Sequence, residues 1–357
     1  MIEAIDSSHQ TVRLETYIYG PGPLGRRFRE VLLRARQRGA RVQVLIDALG
    51  SRGLPRTFWS PLKEAGGQVR QFNPLSLHRL GIRSHRKCLV CDDRIAFVGG
   101  FNIASEYEGD GVAGGWRDLG LRVEGPLAIE MAASFDEMFM RADFQHKRFM
   151  RLRKFDAKRV IATASRQLLL SGPGRGPHPI QRALRRDLAQ ARDVVIIAAY
   201  FLPSWRLRRA LARVVRRGGQ VRLILAGKSD IALSHLAGQS LYRRFLRAGV
   251  EIYEYQPQIL HAKLIVSDNV VYVGSANLDQ RSLNINYELM IRFDEKETAG
   301  QAREISSDFL KNCRRITIEE WGKCRTLWRK LKEHVAYLLL VRLDPYIARL
   351  QWRALPE

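Results

Sequence analysis

The sequence predicts an α/β protein made of two similar α/β/α sandwich halves with mixed sheets, joined as a pseudo-dimer. Three observations carry this expectation. One stretch is written twice, as His85-Arg86-Lys87-Cys88-Leu89-Val90-Cys91-Asp92 and as His261-Ala262-Lys263-Leu264-Ile265-Val266-Ser267-Asp268. Strands and helices alternate around both copies, and matched landmarks keep nearly constant offsets: Tyr19 with Tyr200, Val42 with Val221, Ala65-Gly66 with Ala248-Gly249, His85 with His261. A chain of 357 residues, 46% hydrophobic and 27% charged, can bury a large core and form two domains.

In the first half, Met1 to Ser8 reads as the end of a helix and Val12 to Tyr19 as a strand stopped by Gly20-Pro21-Gly22-Pro23. Leu24 to Gln37 is a basic helix with Leu24, Phe28, Val31, Leu32 and Ala35 on its apolar face. Gly39 suits a helix end, Val42 to Ala48 is a buried strand, Thr57 to Ala65 a helix and Gln68 to Phe72 a strand. The second half repeats the order: strand Val194 to Tyr200, helix Arg206 to Arg217, strand Val221 to Ala226, helix Ser240 to Ala248, strand Val250 to Tyr255. The expected units are residues 1–140 with the first motif, a basic connector 141–166, residues 167–320 with the second motif, and an extension 321–357.

The connector carries Lys147, Arg148, Arg151, Arg153, Lys154, Lys158 and Arg159, and reads either as a solvated linker helix or as a contact to an anionic surface. Gly172 to Pro177 contains no G-x-x-x-x-G-K and reads as a turn. In the extension, Leu327, Trp328, Leu331, Val335, Leu338 and Leu339 fall at helical spacing among Lys323, Arg325, Arg329, Lys330 and Lys332. Pro345 breaks that run, and Tyr346, Ile347, Leu350 and Trp352 follow. Such a basic helix either lies in a membrane interface or packs its apolar face on the second domain.

The formal net charge of +24, from 60 Lys and Arg against 36 Asp and Glu, suits an anionic partner, either nucleic acid or acidic lipid. Four cysteines in a chain of this length do not make a disulfide framework. Cys88 and Cys91 are three apart on a strand, so they face opposite sides and read as buried thiols, which suits a reducing compartment. The start of the chain lacks a basic region followed by an apolar one, and no stretch is apolar for the length of a membrane span. A lipid substrate would therefore be reached from the membrane surface.

Alternation along a strand puts His85 beside Lys87 and His261 beside Lys263. The small pairs Gly99-Gly100 and Gly274-Ser275 allow close backbone approach above that row, and each pair precedes an asparagine, Asn102 or Asn277. The doubled pattern resembles the phospholipase D superfamily, in which two such motifs form one active site. The resemblance implies a phospholipase D-like fold and a catalytic set of His85, Lys87, Asp92, His261, Lys263 and Asp268. Two imidazoles suit a two-step displacement at phosphorus: one forms a phosphohistidine, the other serves as acid and then base. Lys87, Lys263, Asn102 and Asn277 would surround the phosphate oxygens, and neither a metal nor a cofactor is required. Asp92 and Asp268 sit at the far ends of their strands and are expected to hold turns. Asp118 and Glu288 are better placed to orient the histidines, with the expected pairs His85–Asp118 and His261–Glu288.

The flanks narrow the resemblance. Gly99 to Ile103 with Glu106-Tyr107, Trp116-Arg117-Asp118, Glu124-Gly125-Pro126, Gly274 to Ser282, Asn286 with Glu288, Leu14 to Ile18 and Tyr200 to Pro203 look like bacterial cardiolipin synthase. That resemblance runs from about Ile2 to about Trp321. It implies that phosphatidylglycerol donates a phosphatidyl group to His85, releasing glycerol. A second phosphatidylglycerol then takes that group to give cardiolipin, with His261 as acid and base. It also implies a peripheral enzyme on the cytoplasmic face of the cell membrane, with anionic phospholipid as partner. Family members often carry two N-terminal transmembrane helices that this chain lacks, and a strand and the start of a helix would precede Met1. The alternative is a phosphodiesterase hydrolysing phospholipid or nucleic acid, which the same two motifs support.

Overall fold

Strand pairing defines the molecule. A computed structural model describes residues 1–74, 81–142, 158–163, 165–173, 178–323 and 325–344. The first sheet contains β1 (Thr11–Thr16), β2 (Arg41–Asp47), β3 (Gln68–Phe72), β4 (Cys88–Cys91), β5 (Ile95–Gly99) and β6 (Gly120–Glu124), in the order β3-β2-β1-β4-β5-β6. The second contains β7 (Arg159–Thr163), β8 (Arg166–Ser171), β9 (Asp193–Ala198), β10 (Gln220–Ala226), β11 (Glu251–Tyr255), β12 (Lys263–Ser267), β13 (Val270–Gly274), β14 (Glu288–Asp294) and β15 (Cys313–Ile316). Its order is β15-β11-β10-β9-β12-β13-β14-β8-β7. The run β11-β10-β9-β12-β13-β14 repeats the whole first sheet, so the duplication read from the sequence is a duplication of topology.

Both sheets are mixed. β1 runs parallel to β2 and antiparallel to β4, as β9 runs parallel to β10 and antiparallel to β12. Val, Ile and Leu fill these central strands, as burial on both faces requires. Cys88 and Val90 enter a core shared with Val195, Ile197, Leu264 and Val266 of the second sheet. Leu89 and Cys91 point the other way, into a core with Phe28, Val31 and Leu32 of the helix Pro23–Gln37. The two thiols therefore lie in different cores, as strand parity requires.

Several boundaries differ from the sequence reading. β1 ends at Thr16, and Tyr19 forms an isolated parallel bridge with Ile103. The related bridge joins Phe201 to Leu278, so Tyr19 corresponds to Phe201 and not to Tyr200. The expected helix Thr57 to Ala65 shrinks to Ser60–Glu64. The expected helix Ser240 to Ala248 is Tyr242–Arg247, and a separate helix, Ala232–Gln239, precedes it. Ser240 ends that first helix, so the two do not merge. Residues 159–163 of the expected connector are the edge strand β7, and Arg159 pairs with Glu137 at 2.7 Å. Lys147, Arg148, Arg151, Arg153, Lys154 and the turn at 174–177 lie outside the described residues.

The extension does not pack as an ordinary amphipathic helix. Helix Leu327–Leu338, capped by the Thr326 hydroxyl, turns its charged side inward: Glu333 is wholly buried and paired with Arg325, and Arg329 reaches Gln239 at 3.2 Å. Leu327, Trp328, Leu331, Val335 and Leu338 are exposed. Of the two readings, packing on the second domain fails for these five residues; Ala336 and Tyr337 make that contact instead. Tyr346, Ile347, Leu350 and Trp352 lie outside the described residues, and no described helix is long and apolar enough to cross a membrane.

Leu264→Ala removes a side chain from the core that both sheets share, so it should cost about 2–5 kcal/mol. Urea denaturation followed by circular dichroism should show the loss as a lower midpoint. Because this core joins the sheets, intrinsic fluorescence and dichroism should move together.

Candidate active site

Each histidine is placed by backbone pairing to the opposite half. The segment before His85 leaves the first sheet and forms a parallel bridge from Ser84 to Tyr287. Tyr287 N donates to Arg83 O and His85 N donates to Tyr287 O, both at 2.9 Å. The related segment before His261 bridges Leu260 to Arg117. Here Arg117 N donates to Ile259 O and His261 N donates to Arg117 O, both at 2.8 Å.

This exchange decides the carboxylate partners. Glu288 follows Tyr287 and Asp118 follows Arg117, so each carboxylate lands on the other half's histidine. His85 Nδ1 lies 3.0 Å from Glu288 Oε1, and His261 Nδ1 lies 2.7 Å from Asp118 Oδ2. The expected pairs His85–Asp118 and His261–Glu288 are therefore crossed. The sequence reading paired groups within a half, whereas the histidine segments are strands borrowed by the other half. With Nδ1–H donated to the carboxylate, Nε2 of each ring is left as the reactive nitrogen.

The small residues make room for these carboxylates. A Cβ on Gly100 would sit 2.3 Å from Asp118 Oδ1, so a side chain there would evict the carboxylate. Ser275 holds the related position, and its hydroxyl donates to Glu288 Oε2 at 2.5 Å. The Ser275 oxygen also accepts from Leu289 N at 3.0 Å.

Both lysines are buried beside their histidines. Lys87 Nζ donates to His85 O at 2.7 Å, and Lys263 Nζ lies 3.2 Å from His261 Nε2. Burial is the main influence on all four groups. It lowers the Lys87 ammonium to about 7 and the Lys263 ammonium to about 8, with Glu288 and Asp118 opposing the change. Burial also lowers His85, opposed first by Glu288, and lowers His261 to about 3, reinforced first by Lys263. Burial therefore favours the neutral form of both imidazoles. The Lys263 charge also acts on His85 and the Lys87 charge on His261, so the two motifs share one electrostatic site.

The remaining motif residues divide. Asp92 accepts from the backbone N–H groups of His9, Gln10 and Thr11 at 2.8–3.0 Å, and Asp268 accepts from Arg192 and Asp193 at 2.9–3.2 Å. Both stand in left-handed backbone, and they hold turns as the strand geometry requires. Their place in the catalytic set of the motif is therefore corrected: the groups that meet the imidazoles are Asp118 and Glu288. Asn102 is committed as well, accepting from Ile18 N at 3.0 Å and donating to Tyr107 Oη at 2.6 Å. Asn277 is buried, and its side-chain oxygen has no partner among the described residues.

Four aromatic residues, quoted in the flanks without a role, line the imidazoles. Tyr17 meets the His85 ring edge-on at 5.2 Å, and Lys87 lies 5.3 Å from the centre of the Tyr17 ring. Tyr107 and Trp116 each stand 5.3 Å from the His261 ring, and Tyr200 stands 6.4 Å away. Two buried ion pairs brace the first motif, Arg86–Glu15 at 3.1 Å and Arg83–Asp47 at 3.3 Å. Alternation could have flagged Glu15 and Asp47, since each is an acid at the end of an otherwise buried strand. Asp279, partly buried, caps the next helix by accepting from Ser282 N at 2.7 Å, and desolvation raises its carboxyl to about 6. Among the described residues no group of three or more His, Cys, Asp or Glu side chains is placed to hold a metal ion.

A family model described as "Cardiolipin synthase, PLD-like domain" matches residues 1–139 and 184–309, which include both motifs and both orienting carboxylates. The chain belongs to the cardiolipin synthase, phospholipase D-like family. It is 31% identical to Cardiolipin synthase 1 of Bacillus anthracis over 360 residues, covering 97% of this chain and 70% of that one. It is 32% identical to Cardiolipin synthase B of Salmonella typhi over 351 residues, covering 95% of this chain and 84% of that one. Among solved structures, phosphatidylserine synthase from Haemophilus influenzae Rd KW20 superposes with a TM-score of 0.75 at 15% identity, over 98% of this chain and 92% of that chain. The fold is thus that of the phospholipase D superfamily, and the protein is an enzyme of it.

The crossed pairing has a direct test in histidine-labelled protein. Glu288→Gln should shift the imidazole nitrogen resonances of His85 more than those of His261, and Asp118→Asn should do the reverse. Each substitution should lower kcat by about a hundredfold or more, because the tautomer is no longer fixed.

The lysines set an alkaline limit. Their charge is present below about 7 and 8 and is lost as pH rises through those values. A profile of kcat/KM against pH should fall on that side, and Lys87→Arg should move the fall upward, toward the Lys263 value, because a guanidinium stays charged.

Proposed function

We propose that the protein is a phosphatidyltransferase that joins two phosphatidylglycerol molecules into cardiolipin plus glycerol. The observation that carries this reading is the pair of carboxylate-held histidines at one site, His85 on Glu288 and His261 on Asp118, in a chain of the cardiolipin synthase family.

The chemistry follows from which nitrogen is free. His85 Nε2, neutral and unprotonated, attacks the phosphorus of the first phosphatidylglycerol. The bond from phosphorus to the glycerol headgroup oxygen breaks, and His261 Nε2–H supplies the proton that makes glycerol. A terminal hydroxyl of a second phosphatidylglycerol then gives its proton to His261 and attacks phosphorus. The N–P bond breaks, cardiolipin leaves, and both histidines return to their starting states. This reading takes His85 as the nucleophile.

Burial disfavours the His261 imidazolium, so His261 Nε2 takes its proton from solvent as the substrate anion binds. An anionic phosphodiester beside Lys87 and Lys263 restores the proton affinity that burial removes. The same charge holds both ammonium groups protonated, where they stabilise the equatorial oxygens of the transition state. Asn277, buried after the second small pair, offers its Nδ2 as a further donor in this reading. Transfer prevails over hydrolysis where the second lipid reaches the intermediate before water.

The enzyme works on the membrane as a peripheral protein on the cytoplasmic face, with each half contributing one motif. The net charge of +24 suits a surface rich in phosphatidylglycerol. It would also suit nucleic acid, which makes labelled single-stranded DNA the natural control.

Purified protein with phosphatidylglycerol vesicles should yield cardiolipin and glycerol in equal amounts by mass spectrometry. DNA cleavage without lipid turnover would overturn the reading. His85→Ala should lower turnover by about a thousandfold or more. In acid-quenched reactions, a phosphoryl adduct should map to the peptide carrying His85, and one on His261 would reverse the two roles.

A further inference from the structure

The C-terminal helix Leu327–Leu338 packs through the buried Glu333 and Ala336, with Tyr337 against the core of the second half. Arg325 pairs with the buried Glu333, and Arg329 lies 3.5 Å from Glu333 and donates to Gln239 of the helix Ala232–Gln239. The opposite side carries Leu327, Trp328, Leu331, Val335 and Leu338, which remain 41–83% exposed. A water-facing helix normally has the reverse arrangement, and among the described residues nothing covers this stripe.

The stripe is continuous with the mouth of the site. It runs on through the half-exposed Leu343 to Asp344. Arg281 donates to Asp344 at 2.6 Å and to Gly81 O at 2.9 Å, tying the end of the stripe to the loops that carry Asn277 and His85. At the other histidine, Tyr200 donates to Asp230 at 2.7 Å, and the next exposed residues are Ile231 and Leu233. Exposed cations border the stripe: Arg329, Lys330 and Lys332, the last with its ammonium 5.6 Å from the centre of the Trp328 ring.

We infer that this stripe, with Ile231 and Leu233, is the docking face for an anionic bilayer, and that it sets the mouth of the site against the lipid surface. Leu, Val and Trp side chains enter the boundary between headgroups and acyl chains, while Lys330 and Lys332 meet lipid phosphates. The occupant is a membrane rather than a second protein copy, because the stripe is rimmed by one sign of charge and ends at a site for anionic lipid. That last clause rests on the function proposed above; the docking itself does not.

The test uses the full chain and a triple variant, Trp328→Ser with Leu331→Ser and Val335→Ser. Flotation is measured with vesicles of phosphatidylglycerol and phosphatidylcholine in equal parts, and with phosphatidylcholine alone. The wild type should float with the mixed vesicles and much less with the neutral ones. The variant should lose about tenfold or more of that binding, with an unchanged melting curve. Its turnover of vesicle lipid should fall in step. Its turnover of short-chain phosphatidylglycerol, kept below the micelle concentration, should match wild type.

Unchanged flotation of the variant would overturn the inference, as would a variant that also loses short-chain turnover. So would a wild-type dimer that the variant dissociates while still floating, because a second copy would then cover the stripe. If the wild type turns over neither lipid but the variant still loses flotation, the docking face stands and the proposed function fails.

Discussion

Two short parallel bridges, Ser84 to Tyr287 and Leu260 to Arg117, fix almost everything that matters in this site. A parallel bridge dictates which residue lies opposite which. Once His85 N bonds Tyr287 O, Glu288 has nowhere to point but at the His85 imidazole. The same holds for His261, Arg117 and Asp118. Neither half holds both members of a histidine–carboxylate pair, so a separated half would carry an imidazole with no group to set its tautomer. The mixed core behind the bridges, where Val90 packs with Leu264 and Val266, keeps the sheets in the register that this exchange demands.

The price of such a site is electrostatic. Two ammonium groups and two imidazoles are enclosed together, and burial lowers the proton affinity of all four. Glu288 and Asp118 limit the damage, but each is also spent on orienting a ring. The empty site is therefore short of negative charge, and a phosphodiester supplies it. Affinity for an anion is built into the fold before any contact with the rest of a substrate is made. The positive surface outside works at longer range and is screened by salt, whereas these enclosed charges are not.

Much of this was legible in the sequence, and what was missed shares a cause. The doubled His-x-Lys, the small pair and the strand order are periodic or repeated, so they survive in one dimension. The opposite directions of Cys88 and Cys91 followed from strand parity, and the turn-holding role of Asp92 and Asp268 from their distance along a strand. Carboxylate partnership did not follow, because it depends on a bridge between segments some two hundred residues apart, as the His85–Glu288 separation shows. The alignment of Tyr19 with Tyr200 failed by a single residue because β1 leaves its sheet at Thr16, ahead of the bridge that fixes the true match. The C-terminal helix was read as amphipathic, with two possible fates for its apolar side left open. Hydrophobicity alone could not reveal a buried Glu333 with its own arginine.

The duplicated halves have not stayed alike around their histidines. The segment before His85 is braced by Arg83 on Asp47 and by Arg86 on Glu15. In the matching places the second half has Ile259, Ala226, Ala262 and Ile197, and the last three belong to the shared apolar core. Buried ion pairs are rarely a gain in stability over well-packed apolar groups, so the second arrangement is the cheaper way to hold a strand. The Asp47 carboxylate of one ion pair also acts on Lys87, favouring its charged form. At His85 the leading opposition to burial is a carboxylate; at His261 the leading addition to burial is an ammonium. The two rings are therefore inequivalent, while the bridges keep each one on the other half's carboxylate.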